Sequence, residues 1–520
     1  MKTHHIKVEQ KSGDLPEVEQ LAWKIATVAH HAHNVGIDDH TGDMVKNRLI
    51  DNAAIALAAI NEAPVVVARS KALPSLGTGG STIYGIPITN KYSPEKAAFA
   101  NAVAVRYLDQ DDTYLAAEYS HPDDNISPIL AVGQHMKVTG KDILRAIVVA
   151  YEIQVALVGT GRGTGISLHK HKVDHMTHIA AATAAGLGSM LKLSIEQIYH
   201  SINFAVHNSV SSRQSRKGNI GAQKEFVPGY SAEIAIDAVN NAMNGLRGPN
   251  PIYEGVDSIV AQFLGGTEIE YQVELAEPVK DKLNNILITY PKEHSFEYQG
   301  QAIIDLSLEL RGQVIKKGGI GAIKKIELFT SHHTHHVIGT GSNDPEKTDV
   351  KSPRGTLDHS IMFAIARSLD TGEWHHERSY RNIRGNIPLS TLIKKVETFF
   401  DPVWEKRYHS TDPKIQAFGG RMVLTFQDDT IIQAEKSVAN AHVYGSNPWR
   451  RQEYLDKFDQ LTDGKVSMNE RKRFIDLVIN LDDITGNELS GLTVQMDLGT
   501  LTNAPTGGIY GGYNKFNKQI

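Results

Sequence analysis

Cysteine is missing from all 520 positions. That one absence removes disulfides, thiol nucleophiles, thiolate zinc sites and cysteine-ligated iron–sulfur clusters, so any chemistry must run on oxygen and nitrogen groups. No run of eighteen or more apolar residues is present to cross a membrane. The opening MKTHHIKVEQ lacks the apolar stretch of a secretory signal, so the expected location is the cytoplasm. The net charge of -5 also lacks the cationic excess that general nucleic-acid binding requires. With 41% hydrophobic and 22% charged residues, the composition is that of an ordinary globular protein.

Helical patterns fill the first half of the chain. ILRAIVVAYEIQVAL, 143 to 157, is apolar nearly all round, as expected of a helix surrounded by others. Thr139 with Asp142 and Ser194 with Gln197 have capping-box spacing. The small residues of IAAATAAGLGSM, 179 to 190, suit close helix packing, and the helix after Lys224 is expected to stop at Gly245. From about 276 the pattern changes: IKKIELFT (323 to 330), RMVLTF and TIIQAEKSV (421 to 438) read as strands, the last two joined by a turn at Gln427 to Asp429, with HSIMFAIARSL as a helix between. A helical segment resumes near 447, and the last thirty residues, rich in Gly, Asn and Thr, read as a weakly structured tail. GTGRGTG (159 to 165) and GTGGS (77 to 81) lack dinucleotide and P-loop spacing and read as turns.

LDQDDTYLAAEYSHPDDN, 108 to 125, gathers acids before a His-Pro corner. Asp109, Asp111, Asp112 and Thr113 form either a site or a solvated corner, and His121 is placed to exchange protons. HKHKVDHMTH puts His171, His175 and His178 on one face if helical, a spacing open to metal; without HExxH and with lysines nearby, no metal is expected. The histidines of SHHTHHVIG, 331 to 339, read as structural on an extended segment. Arg213, Arg216, Lys217 and Lys224 cluster in a Gly- and Ser-containing loop that leads into a helix and suits a carboxylate-rich ligand, or forms a basic surface loop.

RYLDQDDTYLAAEYSHPDDN resembles the core motif of the MmgE/PrpD family, with further matches in NAVAVRYLD, KVDHMTHIAAATAAG, GNIGAQK, GPNPIYEG, EYQGQA, TLDHSIMFAIA and HVYGSNPWRRQEYLDKF. The family includes 2-methylcitrate dehydratases and a cis-aconitate decarboxylase. The resemblance implies a mainly α fold: a large all-helical domain from both chain ends, 1–275 and 447–520, with an inserted α+β lid domain at 276–446. It implies a homodimer, a small tricarboxylic acid substrate and no metal or organic cofactor, and it carries pocket roles onto Asp109, Thr113, His121, His175 and Lys224. Where relatives carry a lid lysine, this chain has Ile288 near the expected place, with Lys292, Glu293 or His294 as substitutes; Phe363 stands where the decarboxylase has a tyrosine.

Dehydration of 2-methylcitrate removes a proton α to a carboxylate and expels hydroxide from the adjacent carbon. The first step needs cations where charge develops, a role suited to Lys224 and Arg213. The second needs an acid: His121 or His175, the other acting as base. Asp109 is expected to hold its histidine protonated near neutral pH, while Asp111 and Asp112 bridge structure. Lys292 and His294 complete the expected substrate contacts. The competing readings are another small-polycarboxylate lyase or epimerase, such as a cis-aconitate decarboxylase, and a non-catalytic metal- or ligand-binding relative.

Overall fold

The computed structural model describes residues 1–9, 15–161, 163–410, 412–503, 505 and 509. About 53% of the chain is helical and the sheets are small, so the fold is mainly α. One hydrophobic core gathers residues from Ile6 to Ile286 and, from the far end of the chain, Tyr454 to Leu501. A second core runs from Phe296 to Phe426. An aromatic cluster joins them: Tyr114, Leu115, Val155 and Val158 meet Tyr290, Tyr298, Tyr408 and Phe418.

At the centre of the first core lies Gly140–Val158, buried on every side as its sequence requires. Both capping boxes form, Thr139 with Asp142 and Ser194 with Gln197, because each depends on side chains only three residues apart. Met176–Met190 packs against the central helix through its small residues. A Cβ on Gly186 would stand 2.9 Å from the Ala146 carbonyl oxygen, so the backbones approach where only glycine fits. Helix Gln223–Met243 follows, and Gly245 turns the chain with φ +81°.

The expectation of an all-helical first part needs correction. Lys2–Lys7 pairs antiparallel with Glu270–Leu275, and Tyr114–Leu115 with Tyr119–Ser120. The first ribbon forms because Ile6, fully buried, lies on the side that also buries Val273 and Leu275. In the second core the sheet order is Val396–Phe400, Ile323–Thr330, Gly420–Phe426, Ile431–Lys436; the first pair is parallel and the others antiparallel. Helices Gln301–Lys316 and Ile361–Thr371 complete that core. The histidines at 332–336 are helical, since the Ser331 hydroxyl accepts the Thr334 amide and starts His332–Val337.

Towards the end of the chain, Arg451–Thr462 and Met468–Ile479 return to the first core. The segment beyond them is more ordered than its composition implies: Leu492, Val494 and Met496 are buried, and Gln495 bridges Gly85. Residues 504, 506–508 and 510–520 of the expected tail, and Arg162 of the glycine-rich turn, lie outside the described residues. No single described helix is long and apolar enough to cross a membrane.

Glu152 on the central helix is buried and accepts the Asn285 amide at 3.1 Å. Burial raises its carboxyl from 4.5 to about 7. A raised acid stabilises the fold fully below pH 4.5 and loses that contribution as pH rises through about 7. The Glu152→Gln variant should therefore be more stable than the parent at pH 8, with the gap shrinking at pH 5, in urea titrations. A gap independent of pH would contradict the assignment.

Candidate active site

Helix Pro94–Arg106 ends in Arg106, and three residues later Asp109 takes a left-handed backbone, φ +49°, which a short polar side chain tolerates. That turn sends the Asp109 carboxylate inward. Lys292 Nζ lies 2.6 Å from its Oδ1, Lys224 Nζ 2.9 Å from its Oδ2, and Arg106 Nη1 3.0 Å from Oδ1. Lys224 also meets Asp358 at 3.2 Å, and His359 donates from Nδ1 to Asp358 at 2.6 Å. All of these groups except His359 are almost wholly buried.

The site draws on several parts of the chain. Lys224 comes from the first turn of Gln223–Met243, and Asp358 and His359 come from the residues between Arg354–Leu357 and Ile361–Thr371 of the second core. Lys292 sits on the connecting segment. From helix Arg451–Thr462, Lys457 donates to the carbonyls of Gln110 and Lys292 and pairs with Asp51 at 2.7 Å, pinning two site segments at once. Arg48 ties Asp112 (3.0 Å) to Thr289 and Tyr454. The acids are thus no solvated corner, and Asp112 bridges structure.

Charge in this volume is not distributed as the sequence suggests. Burial alone would raise Asp109, yet Arg106, Lys224 and Lys292 hold its carboxyl well below the usual range. Asp111, also buried, is raised. The expectation that Asp109 keeps a histidine protonated is overturned. His121 donates from Nδ1 to the Asp112 carbonyl (2.8 Å) and accepts from Arg106 Nη2 at Nε2 (3.1 Å). Burial and then Arg106 push its pKa well below 6.5, so the ring is neutral. His175 is neutral for the same reasons: it is buried and its Nε2 accepts from Arg216 at 2.8 Å. The two rings lie 5.8 Å apart.

His121, His175, Asp109, Lys224 and Lys292 thus converge. Thr113, Arg213 and His294 make their contacts elsewhere. The Thr113 hydroxyl donates to the Ser120 carbonyl, Arg213 donates to and stacks on Tyr119, and His294 pairs with Asp305 at 2.8 Å. His294 is held above its usual value: burial opposes the charge, but the Asp305 hydrogen bond outweighs it. Ile288 is exposed, and Lys292, buried against Asp109, supplies an ammonium group to the cluster. The metal-compatible helical face of His171, His175 and His178 does not form, because Lys172 adopts φ +62° and the helix starts only at Met176. Asp109, Asp111 and His121 lie close enough for a cation, as do Asp109, Asp358 and His359, but the lysines and Arg106 already engage those carboxylates.

Arg106, Asp358, His359 and Glu297 escaped sequence reasoning. Arg106 stands one helical turn before Asp109, a spacing that offered a signal. Glu297 donates its amide to the Asp358 carbonyl at 3.1 Å. Burial, opposed by Lys292, sets its carboxyl at about 7, with Asp109 and Lys224 also acting on it.

Two family models match the chain: the MmgE/PrpD N-terminal domain over residues 23–272 and the MmgE/PrpD C-terminal domain over 294–483. A 2-methylcitrate dehydratase of Escherichia coli (strain K12) is 27% identical over 354 residues, covering 65% of this chain and 68% of the relative. One from Cupriavidus necator is 24% identical over 408 residues, covering 75% and 79%. An alkylcitrate dehydratase, phiI, of a fungal species is 23% identical over 493 residues, covering 90% and 91%.

Removing one partner of a buried ion pair costs about 3–5 kcal/mol. Lys292→Met, which keeps the side-chain stem, should lose stability on that scale in urea unfolding; a loss under about 1 kcal/mol would mean that Lys292 does not compensate Asp109.

Proposed function

The chain belongs to the MmgE/PrpD family, and on that premise we propose that it is a hydro-lyase that removes water from 2-methylcitrate to give 2-methyl-cis-aconitate. The observation that carries this reading is the convergence of Arg106, Lys224 and Lys292 beside two neutral imidazoles. Three cations converge on Asp109, with Asp358 beside Lys224 and Asp111 beside Arg106. That cluster of cations suits the carboxylates of a small polyanion that displaces the protein's own acids. Because the groups are buried, substrate enters by movement of the 276–446 region as a lid over the 1–275 and 447–520 body. Residues from both sides then close around it and exclude water.

In this mechanism the lysines and Arg106 bind the substrate's carboxylates and stabilise the charge that forms when the α C–H bond breaks. His121 takes the proton at Nε2 once a substrate carboxylate draws Arg106 off that nitrogen. The electron pair becomes the C=C bond as the C–O bond breaks on the adjacent carbon, and the departing hydroxide takes the Glu297 proton and leaves as water. His175, kept neutral by Arg216, packs beside His121. Thr113 fixes the turn behind the site, Arg213 holds Tyr119 against His175, and His294 is held by Asp305. The roles require no metal or organic cofactor, and the working assembly is a homodimer in the cytoplasm.

General acid or base catalysis contributes about 10²- to 10⁴-fold. His121→Ala should lower turnover by that scale with circular dichroism unchanged, followed by absorbance of the unsaturated acid; near-normal turnover would reject His121 as base. Glu297 must be protonated to act, so kcat/KM should fall as pH rises through about 7, and Glu297→Gln should lose that limb. Parallel assays with citrate and cis-aconitate, with and without EDTA, separate dehydration from CO2 release and from metal dependence.

A further inference from the structure

Next to the charged cluster the second core carries a cavity of about 390 Å³, with Arg354, Arg384, Tyr380, Ser352 and Asn382 among its lining and no carboxylate among the described residues there. Arg354 is fixed there. Its guanidinium lies 3.9 Å from the centre of the Tyr380 ring and 5.7 Å from that of Tyr107, and Nη1 donates to the His376 carbonyl. Its Nε and Nη2 are buried and have no hydrogen-bond partner among the described residues. Those two N–H groups form one edge of the guanidinium, the edge that grips both oxygens of a carboxylate at once. A buried donor left unmet costs free energy, so turning this covered edge into the cavity to meet an anion is favourable. Neither Arg354 nor Arg384 has a carboxylate partner among the described residues.

The cavity is close to the main site. Leu357 lines it and immediately precedes Asp358, the partner of Lys224. Tyr380, on which Arg354 stacks, donates its hydroxyl to the Ser295 carbonyl on the segment that carries Lys292 and Glu297. We propose that this cavity is a second carboxylate site, where Arg354 takes one carboxylate of a small di- or tricarboxylate through both free N–H groups and Arg384 meets another. Its ligand class rests on the polyanion reading of the main site; its binding does not depend on turnover. Two sources share this chemistry, substrate on its way to the cluster and a separate acid acting as effector.

Titration calorimetry of the full chain with citrate tests the proposal. Arg354→Lys keeps the charge but loses the two-pronged edge, and should weaken citrate binding at least tenfold. Arg384→Ala alters an exposed side chain and should weaken the same binding without disturbing the fold. If substrate passes through the cavity, both variants raise KM for 2-methylcitrate at unchanged kcat. If the ligand is an effector, KM without citrate stays the same and the response of the rate to added citrate disappears. Citrate isotherms within twofold of the parent in both variants overturn the proposal. Loss of dehydratase activity in the parent chain, with the arginine-dependent citrate isotherm present, would sink the proposed reaction and leave this site standing.

Discussion

A buried carboxylate surrounded by Arg106, Lys224 and Lys292 is the constraint on which the rest of the structure depends. Each of those charges would be too costly to bury alone, so each must be delivered to Asp109 with good geometry. The first core supplies Arg106 and Lys224, the second supplies Asp358, and the connecting segment supplies Lys292. Lys457, from a helix that reaches the first core only after the chain has built the second, fixes the backbone on both sides of the pair. The fold is therefore closed upon its own charges, and in the proposed reaction a polyanion enters by exchanging with them.

That exchange decides what the histidines do. Imidazoles beside so many cations do not hold protons, and His121 and His175 are accordingly neutral. A neutral ring with an inward basic nitrogen is suited to take a proton from carbon. In the proposed reaction the proton for the departing hydroxide comes from Glu297, whose carboxyl burial raises to about 7. On that proposal, acid and base are separated by environment rather than by residue type.

Features governed by near neighbours were legible in the sequence. Thr139 and Asp142 cap the central helix, and the alternation of IKKIELFT marks a strand, because both are set within a few residues. The strand Val396–Phe400 was not legible, since it is fixed by parallel pairing with Ile323–Thr330 some seventy positions earlier. The acidic stretch before His121 marked a place where buried charge gathers, yet its effect on that histidine was reversed, because burial and Arg106 outweigh Asp109. An arginine one turn before Asp109 reads as an ordinary helix residue, and only the folded chain shows it buried between Asp109 and His121. The spacing of His171, His175 and His178 suggests one helical face, which the left-handed Lys172 breaks.

The most direct test of this account is a crystal structure of the full chain with a non-reacting tricarboxylate, such as tricarballylate, bound. The account predicts ligand carboxylates on Lys224, Lys292 and Arg106, with at least one of these released from Asp109 and His121 facing the ligand carbon chain. A ligand bound elsewhere, with the Asp109 contacts unchanged and His121 facing no ligand atom, would contradict it.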